Sequence, residues 1–251
     1  MAVAIHKDTL NTLVDAVNVG MLLGVTNIVL DNHSVRGRDG DSGTMFVMPF
    51  EDGTEYEFGA IGITRVPELS KRVTLMNLKG SDYTAETELK KRGDDVTFAS
   101  IVTLKHKKTK VEFKCGDPTL IKIPKGLADD KHFQFGLTRD DLKFIKAANS
   151  AMGADHLIFT KSSDGDSLTI SLSSKKDSDK ATHTIESPVK SLTDTDSFSF
   201  KYDSKILIKA ISSIESILKK DDLDALDVVI TRRGVLTVVI KGMSAYILPT
   251  P

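Results

Sequence analysis

Residues Phe133 to Pro249 carry one short plan written twice, and this duplication constrains the chain more than any other feature. The first copy reads FQFGLT, TRDDLKFIKAANSAMG, HLIFTK, SLTISLS and THTIES; the second reads SFSFKY, DSKILIKAISSIESILKK, LDVVIT, VLTVVIK and SAYILP. In each copy, alternating apolar residues predict a strand, apolar residues three and four apart predict an amphipathic helix, and three more alternating segments predict three further strands. SSDGDS, starting at Ser162, separates two alternating runs and reads as a hairpin turn.

The N-terminal half repeats the plan less cleanly. A short strand, AVAIHK, leads into a helix from about Asp8 to Val19, with Leu10, Leu13, Val14 and Val17 on one face; NIVLD, HSVRGR and TMFVMPF then alternate as strands. After the turns DGDSG and EDGT, YEFGAIGI predicts a strand and Pro67 opens the helix PELSKRVTLM, as proline does well in a first turn. YTAETELK, DVTFASIVTLK and KVEFKCG follow as strands, joined at Arg92 to Asp94 and at the basic turn HKKTK. The fold class is therefore α+β, with repeated strand-helix-three-strand units in two similar domains. At 251 residues the chain has room for two ordinary domains. DPTLIKIPKGLADDK fits neither period, which sets an N-terminal domain at 1–117, a linker at 118–131 and a C-terminal domain at 132–251. The linker carries Leu120, Ile121, Ile123 and Leu127, aliphatics that dock on their own domains or on a partner.

Composition excludes more than it assigns. There are 34 basic and 35 acidic residues, so no electrostatic partner class follows from the total. The single cysteine, Cys115, rules out an intramolecular disulfide and a multi-cysteine zinc site, and fits a reducing, cytoplasmic compartment. No signal-peptide pattern and no long apolar run suggest secretion or a membrane span. Neither a GxxxxGK[ST] nor a GxGxxG motif occurs. Asp39 to Asp41 and Asp164 to Asp166 lack the remaining ligands of a calcium loop and read as turns. Six scattered histidines have no metal-ligand spacing, and nothing places a base beside Cys115, so no catalytic residue, metal site or cofactor is expected and the chain does not read as an enzyme.

The helices say more. In the first helix of the duplicated stretch, Thr138 is placed to cap and Asp141 to complete an approximate capping box. Leu142, Ile145, Ala148 and Met152 form its core stripe, while Arg139, Lys143 and Lys146 fall on the opposite face. In the second, Leu207, Ala210, Ile214 and Leu218 form the stripe, and Lys205 and Lys209 line the outer face with Ser212 and Ser216. Lys71 and Arg72 face outward on the short N-terminal helix, with Leu69 and Val73 facing in. Basic faces at matching places in a repeat fit sequence-independent contact with a phosphate backbone. Aromatic residues do not interleave with the lysines, which argues against single-strand stacking.

A doubled strand-helix-three-strand domain, itself duplicated, resembles the DNA sliding clamp, the polymerase processivity factor. The resemblance covers nearly the whole chain and is one of architecture. VGMLL after the first helix, FGAIGI before the second and the linker rich in Pro and Ile are similar to the two-domain bacteriophage clamps; LDNHSV and AYILP are similar to segments of the eukaryotic and archaeal clamp. The chain departs from the cellular clamps at Tyr246-Ile247-Leu248-Pro249, where leucine replaces a small residue, and in its near-neutral charge. The resemblance implies a head-to-tail homotrimeric ring around duplex DNA, located in the cytoplasm, or the host cytoplasm if viral. Lys71, Arg72, Arg139, Lys143, Lys146, Lys205 and Lys209 would face the DNA. The implied partners are a DNA polymerase and a clamp-loader ATPase, bound in a groove of His33, Val35, Ile121, Ile123, Tyr246, Leu248 and Pro249. Two other readings remain: a non-ring DNA-binding processivity subunit, and a structural β-rich assembly protein.

Overall fold

The computed structural model describes residues 2–39, 44–49, 58–78, 82–92, 96–123, 130–163, 167–174, 180–185, 187–193, 197–217, 225–240 and 243–250. The turns expected at DGDSG, EDGT and Asp164 to Asp166, the joint at Arg92 to Asp94, Leu127 and the core position Leu218 lie wholly or partly outside them.

The chain divides into two compact units, one over Met1–Asp41 and Met45–Gly126, the other over Ser42–Thr44 and Leu127–Pro251. The first unit runs β1 (Ala2–Ile5), α1 (Lys7–Leu23), β2 (Asn27–Leu30), β3 (Ser34–Arg38), β4 (Met45–Pro49), β5 (Ala60–Ile63), α2 (Val66–Asn77), β6 (Thr84–Arg92), β7 (Val96–His106) and β8 (Thr109–Lys114). A 3-10 turn over Pro118–Leu120 follows, capped by the Asp117 carboxylate, which accepts from the Thr119 amide. The second unit runs β9 (Lys131–Thr138), α3 (Arg139–Met152), β10 (His156–Lys161), β11 (Leu168–Ser173), β12 (Lys180–Ile185), β13 (Lys190–Ser191), β14 (Phe198–Asp203), α4 (Ser204–Ile217), β15 (Ala225–Thr231), β16 (Leu236–Ile240) and β17 (Met243–Ile247). Each unit is thus strand, helix and three strands, twice, with the two-residue β13 as an unexpected addition.

Pairing shows why the plan comes in twos. In the first unit β5, the opening strand of copy two, pairs with β2 to give the order β4-β3-β2-β5, while β1, the opening strand of copy one, pairs with β6 to give β8-β7-β6-β1. A short parallel contact joins β5 to β7. The second unit makes the same exchange: β14 pairs with β10 in β12-β11-β10-β14, and β9 pairs with β15 in β17-β16-β15-β9. A lone copy would leave a three-stranded meander with an unpaired edge; exchanging first strands closes that edge and makes each copy depend on the other.

The helices pack in pairs, α1 on α2 and α3 on α4. Leu10, Leu13 and Val17 of α1, Leu69, Val73 and Met76 of α2, Leu142 and Ile145 of α3, and Leu207, Ala210 and Ile211 of α4 are buried. Each such aliphatic side chain contributes about 1.5–3 kcal/mol by leaving water. The first helix is longer than its sequence pattern predicts. Gly20 lies inside it because the helix approaches β2 and α2 closely there: a Cβ would sit 3.1 Å from Ile28 Cδ1 and 3.4 Å from Val66 Cγ1. The stop is Gly24, whose φ of 74° sets a left-handed cap with its N–H on the Gly20 and Met21 carbonyls. VGMLL, expected after the helix, is its last turn.

Candidate nucleic-acid interface and partner groove

The basic face of the second unit is held by two well-capped helices. Thr138 Oγ1 accepts from the Asp141 amide at 3.2 Å, and Asp141 Oδ2 accepts from the Thr138 amide at 2.8 Å, a full capping box with Asp in the Glu position. The other carboxylate oxygen lies 2.6 Å from His183 Nε2 on β12, and the His183 ring stacks on Phe144 at 4.5 Å. Burial pushes the Asp141 carboxyl up, but hydrogen bonds from Thr138 and His183 outweigh it and hold the group below its ordinary value. At α4, Asp203 Oδ1 accepts from the Lys205 and Ile206 amides at 2.9 and 3.0 Å, which fixes the first turn. With these starts set, Leu142, Ile145, Leu207 and Ala210 turn inward, Arg139, Lys143, Lys205 and Lys209 are exposed, and Lys146 is half-buried. Lys143 Nζ meets Asp140 at 2.8 Å on the surface.

The first unit differs. Lys71 is exposed on α2, but Arg72, expected to face outward beside it, folds back on the sheet. Its Nε donates to the Glu112 carbonyl at 3.1 Å and an Nη to the Glu68 carbonyl at 3.0 Å, and its guanidinium lies 5.4 Å from the centre of the buried Phe113 ring. Arg65 takes a matching place at 5.3 Å and donates to the Lys114 carbonyl. These two arginines, of which Arg65 was not singled out from sequence, fasten β8 to α2. Helical position alone gives no sign of them, because the anchoring carbonyls belong to a distant strand.

The residues expected in a partner groove occupy unlike environments. His33 is exposed in the turn between β2 and β3, where Asp31 accepts its amide. Val35 is fully buried in β3, so it lines no surface groove, a correction that follows from β3 being covered, with Ser34 to Gly37 all buried between β2 and β4. Ile123 is nearly buried, and its carbonyl accepts from Arg36, a buried arginine that also pairs with Asp31. Ile121 and Ile123 line a cleft of about 490 Å³ in the first unit together with Arg38, Asp117, Leu120 and Lys122; His33 and Val35 are not among its lining residues. Leu120 is 70% exposed at its rim. In the second unit Tyr246 and Pro249 are half-buried and Leu248 is exposed, and the Thr250 amide pins the tail to the Lys201 carbonyl at 2.8 Å.

Among the described residues no three His, Cys, Asp or Glu groups gather as a metal site, and no helix is long and apolar enough to cross a membrane. Burial pushes the Cys115 thiol up to about 12.

No family model and no curated protein matches the sequence. Solved structures do match. The proliferating cellular nuclear antigen of Entamoeba histolytica superposes with a TM-score of 0.60 at 16% identity, over 96% of this chain and 95% of that one. The antigen of Thermococcus kodakaraensis gives 0.57 at 14%, over 99% of both chains. A DNA polymerase III beta subunit from Eubacterium rectale gives 0.68 at 12%, over all of this chain and 65% of that one. The Helicobacter pylori beta clamp bound to a DNA ligase peptide gives 0.64 at 8%, and this chain spans 66% of its length. The fold is that of the DNA sliding clamps, a mixed helix and sheet architecture matched over essentially the full chain.

Proposed function

We propose that this protein is a sliding clamp, a polymerase processivity factor that encircles duplex DNA, with clamp domains at 1–117 and 132–251 joined by residues 118–131. The carrying observation is the twice-repeated, strand-exchanged plan together with the exposed cations of α3 and α4. Three copies joined head to tail would supply six clamp domains. Among the described residues β8 pairs only with β7 and β12 only with β11, so each unit offers a strand edge for such a heterologous contact. DNA is then held by topology, and exchangeable lysine-phosphate contacts permit sliding. The partners in this reading are duplex DNA, a DNA polymerase, a clamp-loading ATPase and further copies of the chain, acting in the cytoplasm, or the host cytoplasm of a bacteriophage. The polymerase and loader would use the first-unit cleft at Ile121 and Ile123 together with His33, and the tail at Tyr246, Leu248 and Pro249. No residue is assigned a catalytic role.

The test combines assembly with topology. Light scattering should give three times 27.4 kDa at high concentration, and the protein should stimulate its polymerase on circular templates and slide from free linear ends. A strict monomer that binds linear and circular DNA alike overturns the ring in favour of the non-ring processivity subunit. Charge reversal at Lys143, Lys146, Lys205 and Lys209 that breaks an assembly without affecting DNA identifies a structural β-rich protein instead.

A further inference from the structure

We infer that the two units share the DNA unequally: α3 and α4 of the second unit supply the phosphate contacts, and the helix face of the first unit is not a DNA surface. The inference rests on the clamp reading and departs from a ring whose helices contribute alike.

Helices α1 and α2 hold three basic and three acidic residues, whereas α3 and α4 hold five basic and three acidic ones. Side-chain commitments widen that gap. Of the three cations on the first unit's helices, Arg72 is fastened to β8 and Lys7 sits in an exposed, weak pair with Asp82 at 2.9 Å, which leaves Lys7 and Lys71 as its exposed cations. Two of its three acids, Asp8 and Asp15, are exposed on α1, alongside Asn11 and Asn18, while Glu68 pairs with Arg65 at 2.8 Å. The same outer region shows Met21, Leu22 and Leu75 at 41, 45 and 46% exposure, apolar groups that neither attract phosphate nor hydrogen-bond it.

The second unit does the reverse. Asp141 is buried and spends its charge on Thr138 and His183, so it does not oppose the lysines. Asp140 is the exposed acid of α3 and meets Lys143 in water, where such a pair is weak and yields to a competing phosphate. Arg139 and Lys205 make no ion pair among the described residues, and Lys209 is exposed one turn beyond Lys205. One helix pair thus presents clustered positive charge, and the other presents acids, amides and methyls.

The salt dependence of DNA binding separates equal from unequal sharing. Each phosphate contact contributes about 0.9 to the slope of log K against log salt concentration. A fluorescent 30-base-pair duplex would be titrated with the full chain between about 50 and 200 mM salt and read by anisotropy. Lys205→Gln with Lys209→Gln should lower the slope by about 2 and weaken binding on the order of a hundredfold at the lowest salt. Arg139→Gln with Lys143→Gln gives an independent pair with the same expectation. Lys71→Gln, and Asp8→Asn with Asp15→Asn, should leave affinity within about twofold. Far-UV circular dichroism and light scattering check that the variants fold and assemble as the parent does. If the parent binds DNA but Lys71→Gln costs as much as a second-unit lysine, or the two α1 substitutions tighten binding by more than about fivefold, unequal sharing is overturned while the clamp reading stands. If the parent protein binds no duplex at all, unequal sharing is overturned, and the clamp reading is decided by the assembly and circular-template test.

Discussion

Asp141 joins three elements of the second unit, which makes Asp141→Ala the most informative single perturbation of its stability. The residue is 5% exposed, closes the capping box of α3 through the Thr138 amide and hydroxyl, and meets His183 on β12 at 2.6 Å. Loss of a helix cap costs about 1 kcal/mol. Loss of a buried, charged hydrogen-bond acceptor costs about 2 kcal/mol more, because His183 and Thr138 are left without it. The expected sum, about 3 kcal/mol, corresponds to roughly a hundredfold faster amide exchange if the region opens as one unit. Hydrogen exchange with mass spectrometry reads this directly: peptides covering α3 and β12 should lose protection, and those of the first unit should not change and so serve as an internal control. Asp141→Asn keeps an acceptor for the Thr138 amide and should cost about half as much. Because the folded carboxyl is held below its ordinary value, its stabilisation is present above the unfolded value of about 3.9 and is lost as pH falls through the lower folded value. The Asn variant should lack that acid sensitivity. A change under threefold in α3 and β12, or equal changes in both units, would refute the assignment.

Three further outcomes are expected. Gly37→Ala should destabilise the first unit by about 1–3 kcal/mol in urea titration, since a Cβ there would lie 2.1 Å from Cε1 of the buried Phe46 ring; a neutral result would mean that the ring moves aside freely. Arg36→Ala removes the side chain that joins Asp31 to the Ile123 carbonyl and should accelerate tryptic cleavage after the exposed Lys122 several-fold, with unchanged cleavage counting against that tie. Native Cys115, whose thiol burial holds near 12, should react with Ellman's reagent at pH 8 about a hundredfold more slowly than after unfolding, and equal rates would show that the sulfur is open to solvent.

Local period made most of the architecture legible. Strand alternation and helical stripes located the four helices of the described residues and the fourfold repeat, because both periods arise where one face meets a core and the other meets water. The exceptions have specific causes. Helix α1 runs one turn beyond the end expected near Val19, and Gly20 in that turn serves the close approach to Ile28 and Val66. Exchange of first strands between copies could not be read, since a strand's alternation records which face is buried and not which neighbour it pairs with.

The same limit governs the site. Helical spacing assigns a side chain to a face, and that sufficed for Lys143, Lys205 and Lys209, short-range features of their own helices. It failed for Arg72, where a long guanidinium reaches over the helix edge to a carbonyl of β8 forty residues away in sequence. The groove position that the resemblance implied for Val35 failed for a related reason: β3 pairs on both sides, with β2 and β4, and Val35 is sealed in. Charge counted along a sequence therefore overstates the exposed cationic surface wherever a cation has a nearer backbone acceptor. Arg36, Arg65 and Arg72, which donate to backbone carbonyls, all lie in the first unit, so two units alike in their repeat differ in how their cations are used.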